Sequence, residues 1–311
     1  MNSEINLNNR IITPKFRSRL RYIYAAFLLA ILLLVINPVG LPIKISPVTQ
    51  AYYDAITTVP KGAVILFESY VDLAVWNELG PVVVVTFKTV WSIPEESDVT
   101  IILYQNSTDG VSKVHELLKG ECKPSPWRQN SYGMTWVDLG LIKDLDKNRM
   151  RLMASDFVTV VSTDYYGTSI SSIPAIQKAA ANAPPYDVLN AYDINLFIWG
   201  SWGSSTVIDS YVRLWWLAGS PPYKVPMLVM SDCESGCFQP YYGPDKPLKS
   251  YLSGSSGAAE LELLTGFKGE GIKATDIKAV VGIGTLVLVV LGNRSLLRKY
   301  LTSYKQRKVV R

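Results

Sequence analysis

The stretch whose residue types best suit ligand binding is SGSSGAAELELL, Ser253–Leu264. Its small residues lead into a segment with helical spacing. The first backbone N–H groups of a helix, together with its dipole, attract anions. The stretch has neither the lysine of a P-loop nor the complete G-x-G-x-x-G pattern. The sequence therefore predicts either a weak anion site or an ordinary helix start after a flexible loop.

Other stretches combine acidic and small residues where a strand is expected to end. They are STDYYGT (162–168), IWGSWGSS (198–205) and MSDCESG (230–236). The carboxyl ends of parallel strands surround the usual ligand crevice. Asp164, Asp232 and Glu260 could then converge as acid and base or around a metal, although Asp and Ser after strands are also ordinary caps and turn formers.

The weak ligand-binding candidates at this sheet edge are Asp164, Tyr165, Ser201, Asp232, Gly254, Ser255, Ser256, Gly257 and Glu260. For each residue taken singly, a capping or turn role is the favoured explanation of its presence. We therefore predict no catalytic set, no metal site and no cofactor.

The three cysteines, Cys122, Cys233 and Cys237, fit a structural role best. A zinc site would need four ligands, and a redox pair is usually C-x-x-C, whereas this chain has C-x-x-x-C. Disulfides persist in oxidising settings such as the outside of the cell. The basic residues at both ends of the chain predict that this part of the chain lies there. Either Cys233 bonds Cys237, or Cys122 bonds one of them and holds the Pro-rich insertion Gly120–Gly133 in place. One thiol is left over in both cases.

Two single residues carry weaker signals. His115, in KVHELL, is the only histidine of the chain. Ser-His-Asp chemistry would have to use it, and the chain has no G-x-S-x-G elbow. We therefore expect a surface or partly buried residue with no special task. Asn106, in NST, is an N-glycosylation acceptor if this part of the chain lies outside the cell.

The domain that positions these residues lies between two apolar segments. The first, 22–43, has no charged residue before Lys44, and the second is AVVGIGTLVLVVLGN, 279–293. About 20 apolar residues cross a bilayer, and Lys278 and Arg294 can extend the shorter segment to both interfaces. The alternatives are a cleaved signal peptide and a buried core helix. Since no A-x-A-like cleavage site follows the first segment, we predict two transmembrane helices.

Basic residues concentrate at the two ends of the chain. Segment 1–21 has five basic residues and one acidic residue, and segment 294–311 has seven basic residues and no acidic one. Lys and Arg collect on cytoplasmic flanks, so both termini are predicted to be cytoplasmic and 44–278 extracytoplasmic. The net charge of +5 comes from these ends. We therefore predict membrane lipid as a partner and exclude nucleic acid.

The middle of the chain alternates apolar strands with helices. Strands are expected in KGAVILFESY, DVTIILYQ, YDINLFIWGS and VPMLVMSD, and after a short helix in RLMASDFVTVVSTDYYG. The segment PVVVVTFKTVWSI is β-branched, but we predict a helix there because a crossover must join two strands. The fold class is α/β: a mostly parallel, Rossmann-like sheet with helices on both faces, flanked by two transmembrane helices.

Three stretches carry a resemblance to known proteins: LPIKISPVTQAYYDAITTVPKGAVILF, STDYYGTSISSIP, and GSSGAAELELLTG with a closing apolar segment containing LGN. In these, the chain resembles a group of uncharacterised two-pass membrane proteins of archaea and bacteria. The resemblance implies an extracytoplasmic α/β domain between N- and C-terminal spans. It implies no activity.

The sequence thus predicts a membrane-anchored structural or interaction protein, not an enzyme. It would be a subunit of a membrane assembly, formed with further copies of itself or with other membrane proteins. The alternative is a sensor or accessory subunit that binds a small ligand at the sheet edge. A hydrolase or transferase using Asp164, Asp232 or Glu260 is the third interpretation.

Overall fold

The computed structural model describes residues 14–69, 71, 73–143, 147–182, 188–201, 205–217, 223–232 and 238–293. The chain divides into two compact units. The larger contains residues 42–272, and the smaller contains residues 1–41 and 273–311.

The larger unit contains a sheet of six strands, all parallel to their neighbours. The strands are β1 (Val64–Glu68), β2 (Thr100–Gln105), β3 (Trp136–Leu141), β4 (Leu196–Ser201), β5 (Met227–Ser231) and β6 (Leu248–Ser253). Their order is β3-β2-β1-β4-β5-β6. The chain builds outward from β1 to β3 and then outward again from β4 to β6, so the topological switch point lies between β1 and β4. This is a Rossmann-like α/β fold.

Eleven α-helices occur among the described residues. They are α1 (Pro14–Ile36), α2 (Pro47–Thr57), α3 (Trp76–Trp91), α4 (Thr108–Lys119), α5 (Pro126–Gln129), α6 (Lys147–Ser155), α7 (Phe157–Val160), α8 (Pro174–Ala180), α9 (Ser205–Val212), α10 (Gly254–Thr265) and α11 (Glu270–Gly292). A π-helical turn, Arg213–Leu217, continues α9.

The sheet separates two apolar cores because alternate side chains of each strand point to opposite faces. Ile65 and Phe67 of β1 pack with residues of α2, α3, α4 and α10. Val64 and Leu66 pack with residues of α6, α7, α8 and α9. All four side chains are fully buried. Burial on both faces explains why strands such as β1 (VILFE) and β5 (MLVMS) are mostly apolar runs without polar alternation.

The valine-rich segment PVVVVTFKTVW is helical, as predicted, and lies within α3. Its β-branched residues favour a strand locally. However, β1 and β2 are adjacent and parallel, and such strands require a crossover connection. Nearly every residue from Leu79 to Trp91 is buried, with α3 packed on the sheet and against α10. Tertiary packing therefore outweighs local propensity here.

The strand predicted within RLMASDFVTVVSTDYYG is wrong. This part of the chain forms α6 and α7. The side chain of Asp156 accepts hydrogen bonds from the backbone N–H of Val158 (2.8 Å) and of Thr159 (3.3 Å), which caps α7 and favours a helix over a strand. The strands β3 and β6, in contrast, were not expected from the sequence.

The smaller unit contains α1 and all but the first residues of α11. Asp276 is fully buried, and its carboxylate accepts hydrogen bonds from the backbone N–H of Gly40 (2.8 Å) and of Leu41 (2.9 Å). Gly284 lies so close to Phe27 that a Cβ there would collide with the aromatic ring. The two helices therefore contact each other, and both still expose large apolar side chains such as Leu28, Leu29, Leu32, Leu33, Ile36, Ile283, Leu286, Val289 and Val290.

In the part of the chain that the structure describes, two helical stretches are long and apolar enough to cross a membrane, by length and composition alone. They differ in burial. The stretch Leu73–Trp91, which contains α3, has 61% of its apolar window buried, whereas Glu270–Leu291 of α11 has 6%. The first is a core helix of the α/β unit. The apolar part of α1, Arg21–Ile36, is shorter than these two.

Candidate functional site

Part of the predicted sheet-edge cluster does come together. Ser201, Ser231 and Ser253 pair in register at the carboxyl ends of β4, β5 and β6. Asp232 follows β5 directly, and Gly254 begins α10 directly after β6. These positions therefore lie together at the carboxyl-terminal end of the sheet, as the sequence predicted.

The start of α10 already has a carboxylate of the chain beside it. Oγ of Ser255 donates a hydrogen bond of 3.3 Å to Oε2 of Glu78, from the first turn of α3. Gly254 adopts φ +51°, and a Cβ there would lie 3.3 Å from Glu78 Oε2 and from the carbonyl oxygen of Asp232. Glu78 thus approaches the helix end where an external anion was expected. Beyond it, Ser256 is exposed and Gly257 packs against Leu252.

Glu260 lies further along α10 and has a structural role. Its Oε2 accepts hydrogen bonds from the backbone N–H of Ser46 (2.8 Å), from Oγ of Ser46 (2.6 Å) and from Oγ1 of Thr49 (2.6 Å). Ser46 is the N-cap of α2. Glu260 therefore holds the start of α2 against α10.

Asp164 lies at the other side of the sheet and organises its own loop. Its Oδ1 accepts from the backbone N–H of Tyr166 (3.0 Å) and of Thr168 (2.7 Å), and its Oδ2 accepts from the hydroxyl of Tyr132 (2.8 Å). The loop is attached to β3, because the N–H of Tyr165 donates to the carbonyl of Asp138, a residue of β3.

The expectation that Asp164 and Glu260 share one site is wrong. Asp164 lies beside β3, and Glu260 lies on the helix that follows β6. These two strands are the opposite edges of the sheet. The three carboxylates predicted to act together therefore do not form one catalytic set.

A pocket of about 530 Å³ lies beside β3, next to the Asp164 loop. Its lining combines one histidine, one aspartate, two lysines, three aromatic rings and several smaller groups. The lining residues are His115, Leu118, Lys119, Lys123, Pro124, Gln129, Tyr132, Trp136, Asp138 and Tyr166. Ligand sites are typically concave and mostly apolar, with a few convergent polar groups.

His115 and Asp138 form a pair inside this pocket. Nε2 of His115 lies 3.0 Å from Oδ2 of Asp138, which is an ion-pair distance, although its direction is poor for a hydrogen bond. Oδ1 of Asp138 accepts from the backbone N–H of Gly140 (2.8 Å) and from Nε2 of Gln105 (3.2 Å). Only 1% of the Asp138 side chain is exposed, so these partners take the place of water around its two oxygens.

Aromatic rings form a continuous wall along the pocket. The imidazole of His115 stacks on Tyr165 with ring centroids 3.8 Å apart. Tyr165 contacts Tyr166 edge to face, Tyr166 contacts Tyr132, and Tyr132 contacts Trp136, at centroid distances of 4.8–5.2 Å. Burial and the hydrogen bond to Asp164 raise the pKa of Tyr132 well above its usual range. The hydroxyl of Tyr132 therefore stays protonated at neutral pH.

A second buried cluster lies at the topological switch point. Glu68, the last residue of β1, is fully buried. Its carboxylate accepts from the hydroxyl of Tyr104 (2.9 Å) and also from the hydroxyl of Tyr211 and the amide of Asn106. Burial raises the pKa of Glu68 to about 7, while the three hydrogen bonds oppose the shift.

Two residues predicted to be modified or cross-linked can be placed in the structure. Nδ2 of half-buried Asn106 donates a hydrogen bond to Glu68, and the glycosylation of Asn106 stays a prediction. Cys122 is a free thiol, 1% exposed, and the alternative in which it bonds another cysteine is wrong. Its Sγ lies 3.8 Å from the carbonyl oxygen of Val84. Cys233 and Cys237 lie outside the described residues, so their pairing stays a prediction.

Sequence reasoning missed the paired residues of both clusters, although each left a signal. Asp138 interrupts the apolar run WVDLGL, and Glu68 ends the apolar run VILFE. A charged residue in a buried strand must be paired, because burying an unpaired charge is costly. Within the described part of the chain, no group of three or more His, Cys, Asp and Glu side chains is arranged to hold a metal ion.

The fold and the pocket define a Rossmann-like α/β domain with a ligand-sized cavity at one sheet edge. Comparisons of the chain with family models, with curated proteins and with solved structures find no match.

Proposed function

We propose that the protein is a membrane-anchored structural or interaction protein that presents its α/β domain outside the cytoplasm. One observation carries the proposal. The apolar stretch of α11 is long enough to span a bilayer, yet only 6% of its apolar window is buried. An apolar surface of that size is unfavourable in water and favourable in lipid.

The contacts within the smaller unit support a two-helix anchor. The carboxylate of Asp276 accepts hydrogen bonds from the backbone N–H groups of two residues that follow α1, and the ring of Phe27 lies against Gly284. Small residues at a helix contact allow close approach, which is a common feature of helices in membranes. Apolar side chains on the remaining faces of both helices are free to contact lipid.

The orientation follows from charge. Basic residues dominate both the first 21 and the last 18 residues, and such segments stay on the cytoplasmic side. The α/β domain, from residue 44 to residue 278, would then face the outside. As partners we propose membrane lipid and either further copies of the chain or other membrane proteins.

The orientation is tested with protease added outside intact cells. The α/β domain should be cleaved, while the tail KQRKVVR should be spared. Extraction of the membranes with alkaline carbonate should leave the intact chain in the pellet. Release of the chain into the supernatant would contradict the anchor, and loss of the tail to external protease would contradict the orientation.

The assembly is tested by solubilising native membranes in a mild detergent. Native electrophoresis should then show a species larger than one chain of 34.5 kDa with its detergent. Mass spectrometry of that species identifies the subunits. A monodisperse single chain under these conditions would count against a structural role in an assembly.

A second candidate function is the binding of a small ligand, and the pocket beside β3 favours it. The pocket has about 530 Å³ and brings His115 and Asp138 together among aromatic side chains. This volume lies within the usual range for small-molecule sites, about 300–1,000 Å³. In this function the domain acts as a sensor or accessory subunit on the membrane surface.

A further inference from the structure

We propose that the pocket beside β3 binds a small anion with a flat apolar body, such as an aromatic carboxylate. Its acidic group would lie among Lys119, Lys123 and His115, and its flat body would pack on the rings of Tyr132 and Tyr166. The inference rests on the proposed ligand-binding role of this pocket and names the chemistry of its ligand.

The charges that line the pocket favour an anion. Lys119 and Lys123 supply two positive charges, and both side chains are exposed and able to move toward a ligand. Among the described residues of the lining, Asp138 is the only acidic one. Its Oδ1 accepts hydrogen bonds from Gly140 and Gln105, its Oδ2 lies beside His115, and the two lysines outnumber it. The net charge presented to a ligand is therefore positive.

The orientation of His115 supports the same conclusion. Its Nε2 faces Asp138, and its ring stacks on Tyr165, so two contacts hold the imidazole in place. Nδ1 is the ring nitrogen left for a ligand. An N–H at Nδ1 can donate a hydrogen bond to an acidic group of the ligand.

The aromatic wall accounts for the flat body. Tyr132, Trp136 and Tyr166 line the pocket, and successive rings meet edge to face. Tyr166 remains 67% exposed, so its ring is available for stacking. Flat rings stack favourably on such side chains, beyond the gain from the area buried. A bare inorganic anion would have no flat body to stack on these aromatic rings.

The chain offers a direct measurement because His115 is its only histidine. The full chain, labelled with ¹³C and ¹⁵N at histidine, is placed in lipid nanodiscs after purification through a histidine-free tag. It then gives a single set of imidazole signals in NMR spectra. Benzoate is the anionic probe, and benzamide is its neutral probe of the same shape.

Benzoate should shift the His115 signals in a saturable way, and benzamide should shift them at least about tenfold less at equal concentration, because it lacks the charge. Equal shifts from both probes would leave the ligand-binding role in place and overturn the requirement for an anion. Shifts from benzamide alone would do the same. No shift from either probe would overturn both the anion site and the ligand-binding role.

The lysines are tested with the double variant Lys119→Gln, Lys123→Gln. Its affinity for benzoate should fall by about fivefold or more, since each exposed lysine adds a modest attraction and the two act together. The control is Lys249→Gln, which removes one positive charge on β6, at the opposite edge of the sheet. An unchanged affinity in the double variant, or an equal loss in the control, would overturn the assignment.

Discussion

The hydroxyl of Tyr104 donates a hydrogen bond of 2.9 Å to Oε2 of Glu68, and both side chains are fully buried. Glu68 ends β1 and Tyr104 lies at the paired position of β2. Tyr211 of α9 and Asn106 donate to the same carboxylate. The switch point of the sheet therefore contains a carboxylate enclosed by three hydrogen-bond donors.

The buried carboxylate predicts a pH dependence of stability. Burial raises the pKa of Glu68 from 4.5 to about 7, so between these values the folded chain holds a proton that the unfolded chain has lost. The free energy of unfolding should therefore fall as pH rises from about 4.5 to 7, by about 3 kcal/mol from this group. The free energy of unfolding at each pH is measured by urea denaturation of the full chain in detergent, monitored by circular dichroism.

Two variants isolate the contribution of Glu68. Glu68→Gln resembles the protonated acid, so it should be close to the native chain at about pH 5 and more stable than it at about pH 8. Glu96→Gln, at an exposed position, should follow the native chain at both values. The assignment fails if Glu68→Gln and the native chain lose stability in parallel.

Glu260 should contribute to stability through α2. Glu260→Ala removes the acceptor of three hydrogen bonds from Ser46 and Thr49, two of which are side-chain bonds of 2.6 Å. Bonds to a charged group are worth more than neutral ones, so we expect a loss of about 1–3 kcal/mol in the free energy of unfolding. The same denaturation measurement applies, with Glu95→Ala at an exposed position as control. Equal stability of the two variants would contradict this role.

Cys122 should be unreactive in the folded chain. Its side chain is 1% exposed, and burial raises the pKa of its thiol to about 12, so little thiolate forms at neutral pH. Iodoacetamide should leave Cys122 unmodified until denaturant is added, as measured by peptide mass spectrometry. Rapid labelling before denaturation would contradict the buried position. The same peptide mass spectrometry, carried out without a reducing agent, tests whether Cys233 forms a disulfide with Cys237.

The contact between α1 and α11 can be tested with two glycines of α11. Gly284→Leu should loosen the helix pair, because a Cβ there collides with the ring of Phe27. A Cβ at Gly282 would meet no atom within 4 Å, so Gly282→Leu is a matched control. Thermal loss of helical circular dichroism in detergent should come at lower temperature for Gly284→Leu only. Identical melting of the two variants would show that the contact contributes nothing.

Much of the architecture could be predicted from local pattern. Buried strands such as VILFE and TIILYQ are continuous apolar runs, and the apolar helices near both ends stand out by composition. The helix in α3 was predicted against its β-branched composition because parallel neighbours need a crossover. Local pattern gave a wrong prediction for the segment Phe157–Val160. Its apolar, β-branched residues favour a strand, but the cap that Asp156 provides makes it a helix, α7.

The sequence by itself determined the α/β class and the positions of most elements, because hydrophobic periodicity is a local property. Only the tertiary structure decided which polar groups meet, because strand order depends on packing between distant segments. It placed Asp164 and Glu260 at opposite edges of the sheet, and it brought Tyr211 to Glu68 from 143 residues away. It also paired His115 with Asp138, since neither residue's neighbours in the sequence indicate the other.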